Sequence, residues 1–225
     1  MKNNFKKNIL VVVAHPDDEL LGVAGTLCRH RDAHDKISIL ILANGEDSRG
    51  SEMVDAGKRF TQAKKVASLL KAKLYLENFP DNAFNIISLL EITKKVEKVL
   101  FEVKPDIIYT HHSGDLNIDH RITSEAVLTA ARPILSKKIE AILAFETLSS
   151  TEWQVKDYRQ FAPNYYVDIS KYLNEKKKLL SIYKDELRKY PHSRSLEGVE
   201  ILAKYRGMEA GIKAAEAFEV IRMIT

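Results

Sequence analysis

The chain has 225 residues, 45% hydrophobic and 29% charged, enough for one domain of roughly 100–200 residues with a sizeable core. Lys and Arg total 35 against 31 Asp and Glu, a formal net charge of +4; so small a surplus governs solubility and argues against nucleic acid as a partner. The single cysteine, Cys28, excludes a disulfide framework and any site built from several thiolates, and points to a reducing compartment, the cytoplasm.

The first apolar run, 9–14, is too short for a signal-peptide core and is ended at once by charge. No uncharged apolar stretch reaches the roughly 18 residues that a membrane span requires. Short β-branched runs then alternate with longer segments of helical period, the pattern of βαβ units around a mostly parallel sheet. Strands are predicted at 9–13, 37–43, 74–76, 106–110 and 139–144, and helices at 21–33, 52–71, 86–103 and 121–131. In the last third the spacing predicts a strand over 165–169, a helix over 171–190 and another over 195–223, with Pro191 between the two helices. The expected fold is α/β: a Rossmann-like, mostly parallel sheet flanked by helices, with a helical C-terminal segment. One domain is expected over 1–225, its core at 1–145 and its C-terminal loops and helices at 146–225.

Ligands of open α/β sheets bind at the carboxyl ends of strands, and two strand-to-helix loops there carry metal-ligating residue types. After the first strand stand His15, Asp17, Asp18 and Glu19. One imidazole and three carboxylates beside a buried strand are costly unless a cation neutralises them, and imidazole and carboxylate are ordinary ligands of zinc and related metals. Pro16 biases His15 toward an extended conformation, so the strand is expected to run through His15. Adjacent side chains then diverge, letting His15 and Asp18 share an ion while Asp17, off the metal, serves as general base. The second loop, HHSGDLNIDH at 111–120, supplies the third ligand, with His120 the best placed, just before the helix expected at Arg121. His111 and His112 are adjacent, so one at most faces the site. His30, His34 and Cys28 lack a partner pattern and read as surface or core residues. The competing reading of HPDDE is a helix N-terminal cap with extra acids favoured by the dipole; capping needs one acid, not three and a histidine.

The run AHPDDE at 14–19 resembles in full the signature of the PIG-L/LmbE family of metal-dependent de-N-acetylases, and Asp119-His120 resembles the end of that family's second motif. Weaker matches are Arg59, the turn Phe79-Pro80-Asp81-Asn82, and the tail from His192 through Arg206-Gly207 to Ala215-Glu216-Ala217-Phe218, so the resemblance spans nearly the whole chain. It implies removal of acetyl groups from N-acetylglucosamine-type sugars, with zinc ligands His15, Asp18 and His120 and with Asp17 as the base. Many members have a histidine three residues before the ligand histidine; here that position is Asn117. An Asn amide donates a hydrogen bond to an oxyanion but carries no proton. A charge relay through Asp119 therefore lacks its histidine, and the general acid is unassigned.

The candidate catalytic residues are Asp17, Asn117, Asp119 and His192, the last as an acid in the loop containing Pro191. Arg59, Asp81 and Asn82 are the candidate sugar contacts because hydroxyl groups need both donors and acceptors; their plainer readings are a helix surface charge and an ordinary turn. Gly207, Ala210, Gly211, Ala214 and Ala215 read as close helix packing, and Lys176, Lys177 and Lys178 as a solvated helix face. The expected cofactor is one Zn²⁺ per chain, and the expected partner a small-molecule or glycoconjugate substrate, with homo-oligomerisation left open. The alternatives are a related metal-dependent amidase acting on a non-sugar, glycopeptide or lipid-linked amide, and a non-catalytic Rossmann-like binding module. The latter is weakened because the first turn lacks GxGxxG and its acids would repel a pyrophosphate.

Overall fold

Residues 9–13 are buried on both faces, as a central strand of a parallel sheet requires. The computed structural model describes residues 6–43, 57–133, 139–157 and 159–224, and places this run, β1 (Asn8–Val13), near the middle of a seven-stranded sheet. The other strands are β2 (Lys36–Ala43), β3 (Lys73–Phe79), β4 (Ile107–His111), β5 (Ala141–Phe145), β6 (Tyr165–Asp168) and β7 (Ala215–Met223). Their order is β3-β2-β1-β4-β5-β7-β6. β1 to β5 pair in parallel, while β7 runs antiparallel to both β5 and β6.

Six α-helices among the described residues cover the two faces. α1 (Asp18–Asp32), α2 (Lys58–Leu70), α5 (Leu173–Leu180) and α6 (Leu196–Ala210) bury their apolar stripes with Ile9, Val11 and Val13. On the other face, α3 (Leu89–Val103) and α4 (Ile118–Ala130) pack on Leu10, Val12 and Ile108. Successive β1 residues thus feed opposite layers, as the two-residue strand period dictates. Close approach of α1 to β5 depends on Gly22, where an added Cβ would stand 2.2 Å from the fully buried Phe145 ring. Gly22→Ala is therefore expected to lose about 1–2 kcal/mol, overpacking outweighing the better helix propensity. That corresponds to a fall of roughly 2–8 °C in Tm; an unchanged thermal unfolding curve would show that the ring yields.

Several expected boundaries are corrected. β1 ends at Val13 and does not run through His15, and α1 begins at Asp18, not at 21, so Asp18 and Glu19 lie in its first turn. α4 begins at Ile118, ahead of Arg121, which puts His120 inside the helix. Positions 52–56 of the second expected helix lie outside the described residues. The helix expected over 171–190 is only Leu173–Leu180 plus a 3-10 turn at Ser181–Tyr183. The last expected helix stops at Ala210, capped by Gly211 with φ 70°. Residues after it form β7, so the C-terminal segment is not purely helical. Ala214, Ala215, Ala217 and Phe218 fit a helical period as well as a strand's, and the glycine stop signal was the residue that separated the two. Gly207 fits the close-packing expectation: its Cβ would meet Ile212 O at 2.6 Å.

Candidate metal centre and active site

The loops after β1 and β4 lie side by side because β1 and β4 are sheet neighbours, and the helices that follow them, α1 and α4, leave toward opposite faces. Such a divergence opens a crevice at the strands' carboxyl ends. Asp17 makes the turn from β1 into α1 with φ 107°, a left-handed backbone uncommon for a non-glycine residue. Its carbonyl accepts the N–H groups of Leu20 and Leu21 at 2.9 and 3.0 Å. The side chain caps nothing in α1, so the competing cap reading does not account for it.

Ligand atoms of His15, Asp18 and His120 lie within 4.8 Å of one another, and all three residues are buried. His15 Nδ1 is 3.2 Å and His120 Nε2 3.3 Å from Asp18 Oδ2. Asp18 Oδ1 and both His120 ring nitrogens nevertheless have no aligned hydrogen-bond partner. Buried polar atoms without partners are costly, and two imidazoles with one carboxylate form a donor set suited to a divalent first-row metal. The cluster can therefore hold a metal ion. Burial disfavours the His120 imidazolium, but the carboxylates of Asp18 and Asp115 outweigh it and hold the ring's pKa up at about 9. Conversely, burial works against the Asp18 anion, and His120 and His15 overcome it to hold that carboxyl well below its usual range. The centre attracts positive charge.

Neighbouring groups aim these side chains. His15 Nε2 faces Asp81 Oδ1 at 2.8 Å and Asp119 Oδ2 at 3.1 Å. Asp119 also accepts the backbone N–H groups of Asn82 at 2.7 Å and Phe84 at 3.0 Å, tying the turn after β3 to the centre. Asp115 Oδ1 stands 3.2 Å from His120 Nδ1 and is itself held by Ser150 and Thr151 hydroxyls. A carboxylate behind a ligating histidine is the usual means of orienting the ring. The His111 ring stacks on His120 at 3.9 Å, and its Nε2 accepts the Ala14 N–H at 3.0 Å. His112 is engaged by Glu219 and by the Arg159 carbonyl, both at 2.7 Å. His112 is thus engaged away from the cluster, whereas His111 packs against it, its Nε2 3.5 Å from Asp18 Oδ2.

Above the cluster is a cleft of about 430 Å³ lined by His15, Asp17, Arg59, Asp81, Asn82, Asn117, His120 and His192, among others. Of the candidate catalytic, sugar-contact and metal-ligand residues, all border the cleft except Asp18 and Asp119, which are buried. Burial, reinforced by Asp18, pushes the Asp17 carboxyl up to about 6, although Arg194 Nη1 donates to it at 3.1 Å. Burial and the Asp17 charge push Glu19 up to about 8; it accepts the Tyr183 hydroxyl at 2.9 Å and the Asp17 N–H at 2.9 Å. Arg59 is no free surface charge: it is ion-paired with the buried Glu186. Asn117 does cap α4, its Oδ1 accepting the Asp119 N–H at 2.8 Å, while its amide nitrogen donates to Asn82 Oδ1 at 3.3 Å. His192 Nδ1 accepts the Arg194 N–H at 3.1 Å and the ring meets Trp153 edge-on at 5.6 Å, so in the neutral ring the proton sits on Nε2.

Sequence reasoning missed Arg194, Glu186, Tyr183, Asp115 and Trp153. Asp115 lay within the second loop as one of its two acids and was the one signal available. His30, set aside from the site, bonds Asp35 at 2.7 Å and Tyr109 at 3.0 Å, and Cys28 is buried in the core. No described helix is long and apolar enough to cross a membrane.

The chain is 26% identical over 140 residues to the probable N-acetyl-alpha-D-glucosaminyl L-malate deacetylase 2 of Bacillus subtilis (strain 168), an alignment covering 56% of this chain and 61% of that relative's length. Its fold matches N,N'-diacetylchitobiose deacetylase from Pyrococcus horikoshii with a TM-score of 0.79 at 20% identity, over 96% of this chain and 84% of that one. It also matches GalB, the 4-carboxy-2-hydroxymuconate hydratase from Pseudomonas putida KT2440, with a TM-score of 0.78 at 19% identity, over 97% and 98% of the two chains. Residues 10–131, more than half of the 225, match the family described as PIG-L: GlcNAc-PI de-N-acetylase, and this chain belongs to that family, whose deacetylases are hydrolases of amide bonds.

Proposed function

We propose that this protein is a zinc-dependent hydrolase that removes the N-acetyl group from an N-acetylglucosamine-type amino sugar conjugate, with His15, Asp18 and His120 as metal ligands. The observation that carries the reading is the buried cluster of these three residues, in which Asp18 Oδ1 and both His120 ring nitrogens lack aligned partners, opening on a cleft bordered by a carboxylate held off the cluster. When bound, zinc supplies Lewis acidity, lowering the pKa of a water toward neutrality and polarising the amide carbonyl. Asp17 takes the proton of the attacking water at its carboxylate, and Arg194 fixes the orientation of that group. The Asn117 amide N–H donates to the charge that develops on the substrate carbonyl oxygen, its direction set by the cap that holds its oxygen. Asp17 then returns the proton to the leaving amine, with the Nε2–H of His192 a second donor at the rim. Arg59, Asp81 and Asn82 border the cleft as contacts for sugar hydroxyls.

The same fold carries a hydratase in a neighbour, so the substrate is argued from the site and must be tested directly. Free-amine release is measured from nucleotide-, inositol-, malate- and lipid-linked N-acetylglucosamine, with zinc and with chelator. The expected result is zinc-dependent release from at least one conjugate. No release above blank from any of them by zinc-loaded protein would overturn the reading.

Asn117→Ser isolates the amide donor, because Ser keeps an oxygen for the α4 cap. It is expected to lower kcat by roughly 10²- to 10³-fold while metal content and Tm hold. A fall in Tm with normal kcat in the folded fraction would leave Asn117 as a cap alone.

A further inference from the structure

α1 carries Asp18 in its first turn, yet one turn further on its backbone is not left to itself. Lys176 Nζ, on α5, donates to the Leu21 carbonyl at 2.8 Å, the acceptor that a regular α-helix assigns to the Gly25 N–H. The Gly25 and Thr26 N–H groups donate at 2.8 and 2.7 Å to the two carboxylate oxygens of Glu216, on β7. Lys176 and Glu216 are themselves paired at 2.7 Å, with side chains only 5% and 4% exposed. An ion pair is thus interposed at the seam between the first turn of α1 and the rest of the helix. Side chains inserted at the backbone ladder are an identified cause of helix bending. Lys176 is consequently not part of a solvated face, in contrast to the sequence expectation for the run 176–178.

We infer that Lys176 and Glu216 are positioning residues: the buried pair sets the direction of the α1 first turn and so the placement of Asp18 against His15 and His120. The inference rests on the reading of those three residues as metal ligands. A buried pair is poor evidence of net stability, since apolar replacements often serve as well, so a role in geometry is the stronger account of its placement. The pair also ties α1 to β7 and α5 close to its first turn, whereas the other ion pair between α1 and α5, Arg31–Glu175 at 2.6 Å, holds only the far end of the helix.

The test is zinc affinity by chelator competition on folded Glu216→Gln, with Lys176→Met as a second variant that leaves the carboxylate in place. Arg206→Met is the control. It breaks the Arg206–Glu146 pair, at 2.7 Å and 12% and 13% exposed, and leaves the Lys176 and Glu216 bonds to the α1 backbone in place. Expected is a loss of about tenfold or more in zinc affinity for the first two variants, comparable with the loss of an outer-shell partner, with KM unchanged. The control should lose Tm and keep its zinc affinity. Wild-type affinity in both folded variants, or an equal loss in the control, would overturn the proposal. Absence of zinc binding by the wild type would instead overturn the metal reading and this inference with it.

Discussion

Asp17→Asn should bind zinc as tightly as the wild type and turn over roughly 10²- to 10⁴-fold more slowly, the range for losing a general base. Asn is the right substitution because the position has φ 107°, a conformation that Asn tolerates better than most side chains. It also keeps an oxygen for Arg194, which donates to Asp17 at 3.1 Å. What it loses is basicity, since an amide cannot accept the water proton. Elemental analysis and kcat on one preparation decide the matter: full metal with near-normal kcat would remove Asp17 from the mechanism.

His120→Ala should weaken zinc binding by more than roughly 100-fold, beyond the 10- to 100-fold typical of an outer-shell partner, and Asp18→Ala should do likewise. The substitution deletes one of two imidazoles, unstacks His111, which lies 3.9 Å away ring to ring, and leaves Asp115 facing a void. His30→Ala serves as control, because that ring bonds Asp35 and Tyr109, outside the cluster. Full metal occupancy in the folded His120 variant would show that the third ligand is another residue.

The β1 and β4 loops were legible because each concentrates its chemistry in one short stretch: a charge density that a buried strand end cannot tolerate without a reason. The parallel half of the sheet was legible for a related cause, since apolar β-branched runs alternate there with amphipathic helices. Arg194 could not be found in this way. It meets Asp17 across 177 residues, and a lone arginine after a histidine has no periodicity or spacing to mark it. Tyr183 and Glu186 were hidden inside a segment of helical period, where burial under the site overrides the local pattern. β7 was lost to an ambiguity of small residues, as alanines satisfy the two-residue and the 3.6-residue periods equally.

The antiparallel insertion of β7 between β5 and β6 has a consequence for synthesis. On the ribosome, α1 and the parallel strands emerge first, and at roughly 5–20 residues per second an interval of roughly 4–14 s separates even the last of these strands, β5, from β7. Through that interval β5, with the uncharged sequence AILAF, is an open edge, the kind that pairs with other chains, and the Glu216 acceptors for Gly25 and Thr26 do not yet exist. A nascent chain halted before Ala215 would have the histidines and aspartates of the centre but neither the strand that closes the sheet nor the carboxylate that grips α1. Truncation before Ala215 would therefore remove in one stroke the cover of the β5 edge and the Glu216 bonds to α1, although every candidate metal ligand lies in the first 120 residues.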